Sequence, residues 1–289
     1  MEVVADFRAD MKQILLRALT ASGYEFDPAA SFVNVALQYA TAEQRFIPVR
    51  SRAVHRSTTL VAPAENRTGL RQLLVAVEAG ANLRPWQSRG VTDAWSEDAL
   101  LNDWGVQHFH LGTHAHAKDP SFRARTGPLL FARVEREHFY ALAVMTHHSF
   151  AERELVNILH RDFPSTIEAH KIRHLDVPPP LTNEEHKGLR TAGVMCAVTV
   201  DDGTGYMMIG GGCTSAGTGL SARRRAQDLV HFAARAERWL RDNHEELVER
   251  IEHAAFRPSA PVRFRLDSGD NGFWIVEEET RAGCRVPFS

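Results

Sequence analysis

Along residues 4–21, VADFRADMKQILLRALTA, apolar side chains fall at Phe7, Met11, Ile14, Leu15, Ala18 and Leu19. Steps of three and four put them on one stripe of a helix, and Gly23 supplies its stop. A second helical piece covers about residues 32–41. RFIPVRSRAVHRSTTLV then runs in short β-like alternations, so 45–61 reads as a strand with a break at Pro48. TGLRQLLVAVEAG returns to the helical period, with Leu70, Leu73, Leu74 and Val77 on one face and Gly80 as its stop. SEDALLNDWG reads as a short helix ending at Gly105.

From Val106 the period shortens to that of strands: VQHFHLG, GPLLFARVE and HFYALAVMTH, with VEREHF as a hairpin connection. Ser149 with Glu152 is a capping-box signature, and AERELVNILHRDF follows as a helix with Leu155, Ile158 and Leu159 inward. The order is strand, helix, helix, three strands, helix. DVPPPLTNEEH, residues 176–186, holds consecutive prolines that favour an extended connection, and Thr182 with Glu185 forms another capping box. This stretch predicts a boundary between a 1–176 domain and a 181–289 module. The module would hold VMCAVTV and GYMMI joined by DDGT, a glycine-rich GGGCTSAGTG, a helix over about 221–253, and strands at VRFRL and FWIVEE. The fold class is α+β.

Composition sets the bounds. With 289 residues, 44% hydrophobic and 24% charged, the chain suits one or two domains. No apolar run approaches the roughly 18–20 residues of a bilayer span, and MEVVADFRADMKQ is acidic where a signal peptide is basic. A cytoplasmic protein without a membrane partner is expected. Cys196, Cys213 and Cys284 are odd in number and far apart in sequence, which suits reduced thiols. A net charge of −2 counts against a dedicated DNA-coating protein, so any nucleic-acid contact must come from a local basic patch.

Candidate chemistry gathers in HFHLGTHAHA, residues 108–117. In a strand, His108 and His110 share one face while Phe109 and Leu111 point the other way, toward a core. Imidazoles at i and i+2 are a chelating pair, and His114, His116 or Asp103 would close a metal shell for a metal-dependent hydrolase. No HExxH or comparable second half accompanies them, so neither metal nor other cofactor is expected. The alternative is metal-free acid–base catalysis, because imidazole titrates near neutrality. Cleavage of RNA by its own 2′-OH needs a base, an acid and a cation, which His108, His110, Arg123, Arg125, His147 and His148 would supply. The end of HFYALAVMTH would have to lie beside HFHLG, so that His147 or His148 approaches His110 across neighbouring strands. The bland reading is a half-exposed strand with solvated histidines.

Three short motifs carry a resemblance: Phe109-His110-Leu111-Gly112, then Leu129-Leu130-Phe131, then YALAVMTHHSF with His147, His148 and Phe150. Together with the element order over residues 45–150, they resemble the RelE/ParE-type toxin superfamily. The resemblance implies an antiparallel sheet with helices behind an N-terminal helical extension, and a toxin or bacterial-defence role with an antitoxin or other protein partner. His110, Pro128 and His148 stand where the family pattern has arginine, so titratable groups replace cations. The site location implied by the family falls at His110, His147 and His148, with Arg123 or Arg125 replacing the lost cation. That superfamily also includes a gyrase poison without nuclease activity, so likeness alone does not make an enzyme.

GGGCTSAGTGLSARRRAQ spaces Gly212 and Gly217 like a phosphate loop, but Thr218 stands where that loop needs lysine. What remains is a helix start at Ser221 with Arg223, Arg224 and Arg225 in its first turn, where the helix dipole disfavours cations and an anion would offset them. The expectation is a metal-independent endoribonuclease. His108, His110, His147 and His148 would handle protons and phosphate, Arg125 would stabilise charge, and Arg123, Arg223, Arg224 and Arg225 would hold RNA. A non-catalytic binding or inhibitory protein acting through the 223–225 arginines is the reading from another class.

Overall fold

The computed structural model describes residues 2–146, 153–173, 177, 179–253, 259–269 and 271–288. In chain order the regular elements are β1 (Val3–Val4), α1 (Phe7–Ala21), α2 (Phe32–Arg45), β2 (Ala53–Arg56), α3 (Arg67–Glu78), α4 (Ala99–Trp104), β3 (Gln107–His110), β4 (Ala115–His116) and β5 (Asp119–Arg123). They continue with β6 (Pro128–Val134), β7 (His138–Thr146), α5 (Glu154–Asp162), α6 (Asn183–Thr191), β8 (Val198–Thr199), β9 (Gly205–Tyr206), α7 (Leu220–His253), β10 (Val262–Gly269), β11 (Gly272–Glu277) and β12 (Gly283–Arg285). Helices and strands mix as an α+β chain. Two compact units form, one from Met1–Ala42, Asp93–Trp95 and Ala222–Ser289, the other from Glu43–Thr92 and Ser96–Ser221.

In the first unit, Asp6 caps α1 by accepting a hydrogen bond from Ala9 N at 2.9 Å, and Gly23 takes a left-handed φ of 66° just past its end. The predicted stripe is buried: Phe7, Met11, Ile14, Leu15 and Leu19 all face inward. They meet Val35, Ala36 and Ala40 of α2, Leu229, Ala233, Ala236 and Leu240 of α7, and Val262, Phe264, Leu266 and Ile275 of a sheet ordered β1-β10-β11-β12. Each large apolar side chain buried there stabilises by about 1.5–3 kcal/mol. β1 pairs parallel with β10, and β10, β11 and β12 pair antiparallel.

The second unit is built on a sheet ordered β2-β7-β6-β3. β7, β6 and β3 are antiparallel, whereas β2 pairs parallel with β7, so the sheet is mixed rather than wholly antiparallel. Alternation divides its side chains between two cores. Phe109, Leu130, Ala132, Phe139 and Ala141 pack on one face against Leu73, Leu74 and Val77 of α3 and on Trp86. Leu129, Phe131, Leu142 and Ala143 pack on the other against Leu100 and Trp104 of α4 and Leu155, Ile158 and Leu159 of α5, the adjacent Leu142 and Ala143 sharing that core where the β6–β7 register shifts opposite Phe131 and Ala132.

Several expectations change. The predicted strand over 45–61 shrinks to β2, because the chain before it bends around the buried Arg52, whose guanidinium donates to the carbonyls of Pro48, Arg50 and Glu135. A β4–β5 hairpin intervenes between β3 and β6. The Thr182–Glu185 capping box is present on α6; Ser149 and Glu152 lie outside the described residues. The described residues of that stretch, 177 and 179–186, fall inside the second unit, since the chain beyond them returns to the sheet's helical layer. There Val198, Val200 and Tyr206 join the α4–α5 core. Ser221 sits within the first turn of α7 rather than before it. Among the described residues no helix is long and apolar enough to cross a membrane.

Candidate active-site cleft

Among the described residues β3 is an edge strand, paired through β6, and its alternation decides where each histidine goes. Phe109 is fully buried in the α3 core, so His108 and His110 turn to the opposite face, as the sequence requires. Their fates then diverge. His110 is 4% exposed and its Nδ1 accepts a hydrogen bond from Thr126 N at 3.4 Å. His108 opens onto a cleft of about 600 Å3 and stacks obliquely near Phe131, with ring centroids 6.4 Å apart.

The cleft lies wholly within the second unit. Asp98 Oδ2 is 3.9 Å from His108 Nδ1, while Asp98 Oδ1 caps α4 by accepting from Leu101 N at 3.1 Å. The helix start therefore fixes this carboxylate beside the imidazole. Glu97 is held by two donors to its Oε2, Asn102 Nδ2 at 2.9 Å and Gly219 N at 3.2 Å. Arg45, Lys187 and Arg190 bring cations to the same cleft. Arg45 is buried and donates to Gly90 O at 3.1 Å. Arg190 Nε is bonded to Asp103, a carboxylate that burial pushes above its ordinary pKa and Arg190 pulls back.

No family model, curated protein or solved structure matches the chain. The reading of the cleft therefore rests on its own groups.

Of the residues expected from sequence that the structure describes, His108 alone lines this cleft. His147 and His148 lie outside the described residues. The end of β7 is not a neighbour of β3, because β6 stands between them, pairing His110 with Leu129 and Leu129 with Met145. Arg123 donates to Thr113 O at 3.2 Å and covers the Trp86 ring at 4.8 Å, so it braces the β4–β5 hairpin. Arg125 is exposed beyond that hairpin. Arg223, Arg224 and Arg225 belong to the first unit. His114 is exposed and His116 Nδ1 accepts from Lys118 N at 3.2 Å; among the described residues no three His, Cys, Asp or Glu side chains gather as metal ligands. Asp103, expected to close such a shell, is engaged by Arg190.

Asp98, Glu97 and the cations were missed. Asp98 carried a signal, an acid just before the helical run ALLNDW, but read as a cap it gave no hint of a neighbour ten residues on. The cysteines also look different in three dimensions. Cys196 and Cys213 both line a small hollow with His186, whose Nδ1 is 3.3 Å from Cys196 Sγ. Burial raises both thiols and lowers His186, so the pair is held neutral and the thiols are kept out of the nucleophilic thiolate form.

Proposed function

We propose that the cleft beside His108 cleaves RNA without a metal, in a toxin or bacterial-defence setting of the RelE/ParE kind. One observation carries the reading: an imidazole on a sheet edge faces a polar cleft that also holds two anchored carboxylates and three cations. Glu97 takes the proton of a ribose 2′-OH, whose oxygen bonds to phosphorus. The bond from phosphorus to the 5′-oxygen breaks, and protonated His108 gives its proton to that leaving oxygen. Lys187 and Arg190 offset the charge that builds on the phosphate, and Asp98 places a carboxylate 3.9 Å from the imidazole Nδ1. The products are a cyclic 2′,3′-phosphate and a free 5′-hydroxyl. A protein antitoxin that covers the cleft belongs to the same reading.

The test is incubation of the full chain with structured and single-stranded RNA in excess chelator, with product ends analysed. Cleavage leaving cyclic phosphate, lost in His108→Ala, is the expected result. Cleavage that persists in His108→Ala, or that stops in chelator, overturns the assignment.

A further inference from the structure

The first unit carries a second concavity, about 680 Å3 in volume, within the range of roughly 300–1,000 Å3 that holds a drug-sized or nucleotide-sized ligand. One wall is α7. Arg225, Asp228, Arg235 and Arg238 follow one another at steps of three or a multiple of the helical turn, on the stripe next to buried Leu229 and Phe232. The other wall comes from β11, β12 and the segment beyond them. Gly272, with φ of 119°, adds no side chain there, and the guanidinium of Arg285 passes 3.7 Å from where a Cβ would stand.

Two features set this groove apart. Its floor is aromatic: Phe232 is stacked obliquely on Phe273 at 4.7 Å and meets Phe288 edge-on at 5.7 Å, and Phe273 and Phe288 are only half-buried. Its rim is mostly basic. Among the described residues Arg225, Arg235, Arg238 and Arg285 face it with one carboxylate, Asp228. Arg235 lies over the Phe288 ring at 4.3 Å, and among the described residues neither Arg238 nor Arg285 forms an ion pair. Two arginines outside any ion pair among the described residues, Arg238 and Arg285, beside partly exposed rings match a ligand with regularly spaced anions and flat faces. A polyacidic peptide would satisfy the arginines and offer no flat face to the exposed part of the rings.

We infer that this groove binds single-stranded RNA, with bases on Phe273 and Phe288 and phosphates on Arg235, Arg238 and Arg285. The choice of RNA rests on the reading of the cleft as a ribonuclease; the groove's chemistry does not depend on it.

The experiment measures fluorescence anisotropy of a labelled, cleavage-resistant 2′-O-methyl RNA of about 12 nucleotides on the full chain, with a polyglutamate peptide of equal charge in parallel. Reversing the exposed pair, Arg238→Glu with Arg285→Glu, should weaken RNA binding at least about tenfold, with a shallower salt dependence. Phe273→Leu, which keeps the apolar packing and removes the stacking face, should weaken it about threefold or more at unchanged melting temperature. His108→Ala should leave binding as it is. RNA binding undiminished by the charge reversal, or polyglutamate binding that is lost in the reversal while RNA does not bind, overturns the inference. Loss of cleavage in His108→Ala with binding intact supports both readings; cleavage that survives His108→Ala sinks the cleft and leaves the groove standing.

Discussion

The cleft of the second unit and the groove of the first both gather arginines, and they use them in opposite ways. In the cleft, Arg190 is matched by Asp103, and Asp98 stands 3.9 Å from His108, so both groups have a carboxylate fixed beside them within the protein. In the groove, Arg238 and Arg285 have none among the described residues, and the floor is hydrocarbon. Balanced charge holds groups at set angles and suits proton transfer, whereas unbalanced charge over rings leaves attraction to be satisfied by something from outside. The difference teaches where to look for chemistry and where for binding.

The sharpest way to break this comparison is His108→Ala. Loss of a positioned acid should lower cleavage by roughly 10²–10⁴-fold, with RNA affinity retained. Equal losses of rate and affinity would mean that cleft and groove do not divide the work. Next in size is the salt response of binding. Wild-type affinity for the RNA probe should fall with salt at a slope of about 0.7 per phosphate neutralised, and the Arg238→Glu, Arg285→Glu variant should lose part of that slope. An unchanged slope would show that the groove arginines carry none of the contact.

A third test removes the balance from the cleft. Asp103→Asn takes the counter-charge from Arg190, whose side chain is 19% exposed, and should cost about 1–3 kcal/mol in urea unfolding. A neutral result would mean that the pair is no structural anchor. The smallest effect is on pH. His186 is buried and its pKa is lowered, first by burial and then by Arg190 and Arg153. The unfolded chain then binds a proton that the fold resists, so stability is lost as pH falls below the ordinary imidazole value of 6.5. Asp103 faces the same Arg190 with a raised pKa, so its protonation regains stability as pH falls and partly offsets the loss. His186→Gln should flatten the fall of melting temperature between about pH 7 and pH 5, and an unaltered fall would remove His186 as its source.

Much of the local structure was legible in the chain. The stripe from Phe7 to Leu19, the helix around Leu73, the strands on either side of Arg136 and the Thr182 capping box all follow from spacing, because helix and strand periods are fixed by backbone geometry. Burial of Phe109, with His108 and His110 on the reverse face, was equally implied. The run RFIPVRS was misread because its decisive group is a side chain: Arg52 donates to three backbone carbonyls and replaces the ladder of a strand.

By itself, then, the sequence determined which stretches are helical or extended, which faces are apolar, and that His108 and His110 would share a face. Only the tertiary structure decided that Asp98 would lie beside His108, that β6 would separate His110 from the end of β7, and that arginines from α7 and β12 would line one aromatic groove. The reason is physical. Periodicity acts between residues a few positions apart, whereas the meeting of α4 with β3, or of α7 with β11 and β12, depends on how whole apolar faces fill a shared core.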